Sequence, residues 1–273
     1  MPLQKWMAGA LAGALALVLA GCMLLPGRFA SDLAVQRDGA FHFTYKGEIY
    51  LLALADKAKA DAFEATPCYD DSTDERPCTG AELDAQRKQW RENADKRKSD
   101  KAGQQAAMKA MLGGIDPTDP KAAQEFADRL LRQRGWTSVV SKGNGRFDVV
   151  YDIAGRLDHD FTFPTIERFP VMTPFVTVIR RTDGSVRIDA PAFSASASGS
   201  PMMGMGLSQM GDKTKDSADM PVMDGTFAVH TDGEVLANNT DEGPKPEGAG
   251  KRLDWKVDAR TNAAPTALVK LAK

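Results

Sequence analysis

The chain has 273 residues, of which 42% are hydrophobic, and its 35 Lys and Arg residues against 37 Asp and Glu residues give a formal net charge of −2. This is the composition of a globular protein large enough to bury a hydrophobic core, not of a fibre or a disordered tail. Because the net charge is close to zero, the chain lacks the basic character of a general nucleic-acid-binding protein, and we expect no nucleic acid among its partners.

The first 22 residues have the organisation of an export signal. Lys5 precedes an uncharged apolar run over residues 7–20, which has the length of a signal-peptide core and is marginal for a membrane-spanning helix. The run ends in Leu19-Ala20-Gly21-Cys22, which resembles the lipobox of bacterial lipoproteins. We therefore predict a signal peptide over residues 1–21 and lipidation of Cys22. An uncleaved membrane helix and an ordinary secretory signal with an incidental Cys are the alternatives.

Lipidation would make the membrane the first partner of the mature chain. Acyl chains such as palmitate on Cys22 anchor a protein stably when two or more are present. The residue after the Cys is Met23 and not Asp, which by analogy with lipoprotein sorting favours the outer membrane, on the periplasmic side. We expect residues 22–37 to form a lipidated tether.

Two further cysteines enclose a short acidic segment. Cys68 and Cys78 flank a turn-rich loop, and an exported chain enters an oxidising compartment, so we predict that they form a disulfide. The alternative is a calcium loop in which Asp70, Asp71, Asp74 and Glu75 supply the oxygen ligands. Arg76 occupies the position where such a loop needs Gly. We therefore expect neither a metal nor a cofactor.

Two helices are predicted between residues 79 and 134. Thr79 and Glu82 have the spacing of a capping box, and Gly113-Gly114 would end a long, charged helix. With few large apolar residues, Trp90 among them, this helix reads either as a solvated arm packed at its ends or as a partner-binding helix. The second helix begins with Thr118 or Asp119 as its cap and Pro120 at its first position, and ends at Gly135. Its predicted buried stripe is Phe126, Ala127 and Leu130.

Alternating apolar and polar residues predict strands elsewhere. Residues 41–51 form the first, with a bend at Lys46-Gly47 that would make a hairpin. Three later hairpins are predicted around Gly-containing turns, over residues 137–153, 176–189 and 226–237. Two final strands are predicted over 253–257 and 267–271. This succession predicts an antiparallel β meander.

Residues 194–219 interrupt the strands with a low-complexity stretch rich in Ser, Gly, Ala and Met. Nothing in it has a period that would bury one face, so it is predicted to be a disordered loop. The alternative is an adaptable apolar strip that touches a membrane or a hydrophobic partner. That strip would consist of Met202, Met203, Met205, Leu207 and Met210.

Catalytic motifs are scarce. The chain has three histidines; His42 and His230 fall in predicted strands, and His159 stands between Asp158 and Asp160. These carboxylates could raise the pKa of His159 and make it a proton shuttle, which is the enzymatic alternative. In an extended segment, however, both Asp side chains point away from His159. We therefore predict no catalytic residue.

Several motifs along the chain carry a resemblance to known proteins. They are Leu19–Cys22, 38–41, Pro67–Asp71, Met111–Asp116, Gly155–Phe161, Phe163–Phe169, Leu236–Pro244 and Ala264–Leu268. With these motifs the chain is similar, over nearly its full length, to a family of proteobacterial lipoproteins of uncharacterised function. More distantly, Cys22, the early strand and the segment Leu253–Trp255 resemble LppM-like lipoprotein domains, whose α+β fold is implied to act at the envelope without enzymatic chemistry. The helical insertion over residues 79–134 departs from the compact form of that domain.

These observations predict one α+β domain over residues 38–273: an antiparallel meander with two inserted helices, one of them long and projecting, on a lipidated N-terminal anchor. The expected function is that of a non-enzymatic envelope module that binds a lipid or a protein partner or gives structural support. Its ligand would enter between the second helix and the sheet, or at Trp90. The alternative function is an envelope hydrolase that uses His159 with Asp158 or Asp160.

Lipidation is directly testable. Replacing the thiol in Cys22→Ser removes the acylated atom, so the variant should carry no fatty acid and should accumulate as the unprocessed precursor. Metabolic labelling with a radioactive fatty acid, followed by mass spectrometry of the N-terminus, checks this. Fatty acid recovered on Cys22→Ser would contradict the prediction.

Overall fold

The computed structural model describes residues 24–55, 62–70, 74–169, 173–195 and 222–271. Among these residues there are three α-helices and fourteen strands, which makes the fold α+β. The helices are α1 (Gly80–Glu92), α2 (Ala94–Met111) and α3 (Ala122–Leu131). The strands are β1 (Leu24–Val35), β2 (Ala40–Leu51), β3 (Cys68–Tyr69), β4 (Glu75–Arg76), β5 (Trp136–Gly143), β6 (Arg146–Arg156), β7 (Phe161–Phe163), β8 (Val176–Arg180), β9 (Ser185–Asp189), β10 (Asp224–Thr231), β11 (Glu234–Asn238), β12 (Lys245–Glu247), β13 (Gly250–Asp258) and β14 (Thr266–Lys270).

The strands form two large sheets and one small ladder. The seven-stranded sheet has the order β12-β13-β10-β1-β2-β6-β5, the five-stranded sheet has the order β11-β14-β9-β8-β7, and β3 pairs with β4. Strands β1 and β10 are parallel, whereas their other neighbours run antiparallel. The two sheets bury their facing side chains against each other, as in a β-sandwich.

The structure corrects the predictions for one hairpin of the meander and for the tether. The hairpin predicted over residues 226–237 does not form, because β10 lies in the seven-stranded sheet and β11 in the five-stranded one. Asp232-Gly233 is therefore a crossing between sheets and not a hairpin turn. The tether predicted over residues 22–37 is also wrong for its described part, since Leu24–Val35 is a strand between β10 and β2.

Strand β1 is not predicted from the sequence because the two faces of the strand do not differ clearly in polarity. From Arg28 to Val35 buried residues alternate with more exposed ones, and Phe29, Leu33 and Val35 are buried in the core. The buried face also includes the polar Ser31, whereas Ala30 lies on the opposite face. A sequence without apolar and polar alternation gives no strand period to detect.

Gly47 does not make the predicted bend in the next strand but permits close packing between two strands. Strand β2 runs without interruption from Ala40 to Leu51. A Cβ atom at Gly47 would lie 2.3 Å from the carbonyl oxygen of Arg28 and 2.5 Å from the Cα of Phe29. The glycine therefore permits this part of β1 to approach β2 closely, which is a common role of Gly inside a strand.

The core between the sheets is aromatic and is centred on Phe163 of β7. This ring belongs to the five-stranded sheet and is fully buried. It contacts four rings of the seven-stranded sheet and one ring just before β8, with centroid distances from 4.7 to 5.8 Å. Aromatic pairs at such distances stabilise a core beyond the area they bury. The five contacting residues are Phe43, Tyr45, Trp136, Tyr151 and Phe175.

Helix α3 covers the end of the seven-stranded sheet and has the predicted buried stripe. Phe126, Ala127 and Leu130 are buried, and the Phe126 ring lies 5.0 Å from that of Phe147 on β6. The predicted start is wrong: the carboxylate of Asp119 accepts a hydrogen bond from the backbone of Lys121, so residues 119–121 form a turn and the helix begins at Ala122.

The long helix is present, with one interruption. It is divided into α1 and α2 at Asn93, where backbone hydrogen bonds from Asn93 to Gln89 and from Arg97 to Asn93 continue the helical pattern. Neither α1 nor α2 buries a single side chain. At its C-terminal end Met108 packs on the core, as expected of a solvated arm held at its ends. We call the segment Gly80–Met111 the helical arm.

The hairpins β5–β6 and β8–β9 and the final strands β13 and β14 form where they were predicted. Their positions follow from sequence because Asn144 and Gly145, and likewise Gly184, adopt positive φ in the turns. Glycine and asparagine are the residues that tolerate this conformation.

Truncation of Phe126 tests the packing of α3. Phe126→Ala should lower the free energy of unfolding by about 3–5 kcal/mol, because it removes a buried ring and leaves a cavity beside Phe147. Chemical denaturation measures the difference. The matched control is Leu131→Ala on the same helix, which should cost far less because Leu131 is 44% exposed. Equal losses in the two variants would contradict the packing described for this helix.

Candidate functional site

A cleft lies at the end of the sandwich where the β1–β2 and β8–β9 turns meet the β6–β7 loop. Its volume is about 640 Å³. We call it the terminal cleft. Its walls come from segments far apart in sequence, so it exists only in the folded sandwich. It is lined by Arg37, Asp38, Gly39, Arg156, Leu157, Asp158, Arg180, Thr182, Asp183, Gly184, Lys270 and Leu271.

Hydrogen bonds hold the polar groups of the terminal cleft in place. The guanidinium of Arg37 donates to the backbone carbonyl of Asp232 at 2.7 Å, and that of Arg180 donates to the carbonyl of Leu157 at 2.9 Å. Arg156 pairs with Asp38 at 3.5 Å. The pKa of Asp38 is lowered, chiefly by the backbone N–H of Ala40 and also by Arg156. The cleft therefore offers fixed donors and acceptors to a polar ligand.

His159 does not form a catalytic cluster with its neighbours. It is exposed together with Asp158 and Asp160, and the Asp160 carboxylate accepts a hydrogen bond from the backbone N–H of Arg180 at 2.9 Å. Asp158 lines the terminal cleft, whereas His159 is not among the lining residues. The structure thus gives His159 neither a buried environment nor an orienting carboxylate.

The other two histidines have carboxylate partners that sequence reasoning missed. His230 on β10 has Nδ1 at 2.5 Å from Oε2 of Glu247 and Nε2 at 3.3 Å from Oδ1 of Asp32. His42 has Nε2 at 2.8 Å from Oδ1 of Asp152. The pKa of Glu247 is lowered, mainly by its hydrogen bond to His230. The contacts to Asp32 and Asp152 link neighbouring strands of the seven-stranded sheet, whereas the contact of His230 with Glu247 reaches across β13 to β12.

Within the described ranges, no group of three or more His, Cys, Asp or Glu side chains is placed to hold a metal ion. Asp70 and Asp74, considered above as calcium ligands, bond to each other instead: the backbone N–H of Asp74 donates to the Asp70 carboxylate at 3.0 Å. That bond lies beside the β3–β4 pair.

The helical arm is fixed at its N-terminal end by the predicted disulfide and the predicted capping box. Cys68 and Cys78 are joined by a disulfide with their Cα atoms 5.2 Å apart. Thr79 and Glu82 exchange both hydrogen bonds of the box, and Glu82 also pairs with Arg76 at 2.7 Å. The hydrogen bond from Arg76, followed by those from Thr79, lowers the pKa of Glu82 to about 2.

A groove beside Trp90 lies next to this fixed end. The Phe63 ring meets the Trp90 ring edge-on at 6.1 Å, and the guanidinium of Arg97 lies 4.1 Å above the Trp90 ring. Arg87 lies over the Phe63 ring at 5.6 Å. The groove has a volume of about 360 Å³ and is further lined by polar residues, among them Gln86. We call it the Trp90 groove.

Of the two predicted entry points for a ligand, only the one at Trp90 has an open groove. The space between α3 and the sheet is filled by side chains, because Phe126, Leu130 and Phe147 are all fully buried there. At Trp90 a groove is present. Two predictions lie outside the described residues: the lipidation of Cys22, and the alternative apolar strip of Met202, Met203, Met205, Leu207 and Met210.

No described helix is both long enough and apolar enough to cross a membrane. Comparison with family models gave no match, and no curated protein matches the chain. Among solved structures, the chain is similar to the folded domain of LppM from Mycobacterium tuberculosis, determined by NMR, with 11% sequence identity and a TM-score of 0.32 over 91% of this chain and 92% of that one. A likeness at this level carries no argument about function.

The lowered pKa of Glu82 predicts how the arm responds to acid. A carboxylate whose pKa falls from near 4.5 to about 2 on folding stabilises the fold above pH 4.5 and loses that effect as the pH falls to about 2. The unfolding free energies of the parent and Glu82→Gln should therefore differ at pH 7 and converge in this window.

Chemical denaturation at several pH values, with NMR titration of the Glu82 carboxyl, measures this response. The control is Glu92→Gln on the same helix, where the carboxylate has an exposed ion pair with Lys88 at 4.0 Å. Its difference from the parent should stay small throughout. An NMR midpoint near 4.5 for Glu82 would contradict the prediction.

Proposed function

We propose that this chain is a lipid-anchored envelope lipoprotein that works as a non-enzymatic binding module, with the Trp90 groove as its contact for an envelope protein. The Leu19–Cys22 lipobox supports the anchor. The observation that carries the binding role is the helical arm, which buries none of its own side chains yet presents an aromatic groove at a rigid end.

The composition of the Trp90 groove favours a protein partner. Trp and Arg are the side chains that most often contribute strongly to protein interfaces. Here Trp90 and Arg97 are already stacked, so little side-chain freedom would be lost on binding. The disulfide and the Thr79–Glu82 capping box hold the neighbouring backbone in place. A preorganised aromatic and cationic surface on an otherwise solvated helix is suited to docking.

The geometry of His159 favours binding over catalysis. A general base needs a partner within hydrogen-bonding reach and a concave site that excludes water. His159 is exposed, and its flanking carboxylates do not orient its ring. The outer membrane and the periplasm remain the proposed location, on the basis of Met23 after the lipidated Cys.

A pair of substitutions separates binding from catalysis. Trp90→Ala should weaken partner binding by roughly 30-fold or more, since loss of a central interface aromatic typically costs about 2 kcal/mol or more. His159→Gln should leave partner recovery and envelope phenotype unchanged, because it removes only acid–base chemistry. Crosslinking of the acylated protein in intact envelopes, followed by mass spectrometry, measures recovery.

The matched control for Trp90→Ala is Tyr69→Ala, an aromatic truncation on the disulfide loop at a position that is 55% exposed. It should leave recovery unchanged. Complete loss of function in His159→Gln, with an unchanged melting temperature and circular dichroism spectrum, would overturn the binding assignment in favour of the hydrolase.

A further inference from the structure

The first described strand begins almost at the proposed lipidation site. Leu24 is the second residue after Cys22 and is the first residue of β1. Two residues span at most about 7 Å even when fully extended. An acylated Cys22 would therefore hold the start of β1 within that distance of the membrane surface.

The start of β1 cannot serve as a flexible linker, because it is built into the sheet. Leu24 pairs with Leu51, and both side chains are buried. The backbone N–H of Leu51 donates to the carbonyl of Gly145 at 2.8 Å, which joins the β5–β6 turn to the same end of the sandwich. We call this end, defined by Leu24, Leu51 and residues 142–146, the anchor pole.

The side chains exposed at the anchor pole suit a lipid surface. Lys142 and Arg146 have side chains that are 40% and 38% exposed, and their cationic groups match anionic headgroups. Val140, just before this turn, is 47% exposed and offers an apolar contact. Lys142 is also paired with Asp148 at 3.3 Å, so it reaches the surface from a defined position.

The terminal cleft lies at the opposite end of the same strand. Strand β1 spans 12 residues, which corresponds to roughly 35 Å at about 3.3 Å per residue. The β1–β2 turn that follows it lines the cleft with Arg37, Asp38 and Gly39. The β8–β9 turn with Thr182 lines the same cleft.

We infer that the anchor pole rests on the bilayer surface and that the terminal cleft faces away from it, roughly 35 Å above the lipid. This inference rests on the proposed lipidation of Cys22. The inference gives the anchored protein an orientation. The end of the sandwich at which β1 begins contacts the bilayer, which is the partner of that end.

Two variants of the full acylated protein, each with one added cysteine, test the orientation. Lys142→Cys places a thiol at the anchor pole, near the end of β5, and Thr182→Cys places one at the terminal cleft, in the β8–β9 turn; both positions are exposed. The parent protein should take up no maleimide, because Cys22 is acylated and Cys68 is bonded to Cys78. Each variant is labelled with a maleimide fluorophore and reconstituted into vesicles of phosphatidylethanolamine and phosphatidylglycerol.

Nitroxide headgroup lipids in the vesicles then report the distance of each label from the bilayer. The label at position 142 should lose most of its fluorescence and the label at position 182 almost none, relative to vesicles without nitroxide. If Lys142→Cys melts at a lower temperature because its ion pair with Asp148 is lost, Val140→Cys replaces it, since Val140 is exposed on the same hairpin.

The outcomes separate this inference from the proposed function. Acylated, vesicle-bound protein in which both labels are quenched equally, or in which position 182 is quenched more, would overturn the orientation alone. An N-terminal peptide without acyl chains on Cys22 would overturn the lipoprotein assignment and the orientation with it. Selective quenching at position 142 would support both.

Discussion

The contact of Phe163, on the five-stranded sheet, with rings of the seven-stranded sheet is the interaction on which the rest of the structure depends. Strand β7 has only three residues, yet its last side chain is fully buried and meets Phe43 and Tyr45 of β2 as well as Tyr151 of β6. Directional ring contacts of this kind hold two sheets in one relative position. The two ends of the sandwich are consequently fixed with respect to each other.

The fixed packing of the two sheets determines the shape of the terminal cleft. The terminal cleft is assembled from turns of both sheets, so its arginines keep their positions only while the sheets stay packed. The helical arm contrasts with the sandwich because it contributes no buried side chain. Its order at the Trp90 groove comes instead from a disulfide, a capping box and ring contacts, all within a short stretch of chain. Core and arm are thus stabilised by different forces.

Strand β1 would couple the core to the proposed lipid anchor. It lies between β10 and β2, and its buried Phe29 stacks on Tyr45 and on Phe193. A lipid on Cys22 would therefore be attached to the centre of the sheet and not to a loose tail. Such an attachment would favour one orientation of the module at the membrane, because Leu24, two residues after Cys22, is already paired with Leu51 in the sheet.

The sequence by itself determined those features that arise from neighbouring residues. The Thr79–Glu82 box, the Cys68–Cys78 pairing across a short loop, the stripe of Phe126 and Leu130 and the β5–β6 hairpin all depend on contacts over a few turns or one hairpin. Periodicity and capping chemistry report such contacts directly. The lipobox is likewise a local motif.

Only the tertiary structure decided which strands join which sheet. The parallel pairing of β1 with β10 brings Asp32 to His230 across 198 positions, and the crossing at Asp232-Gly233 has the same local signature as a hairpin turn. Pairing over such separations is selected by the burial of whole faces, which no short pattern encodes. The terminal cleft, the histidine pairs and the position of β1 therefore became visible only in the folded chain.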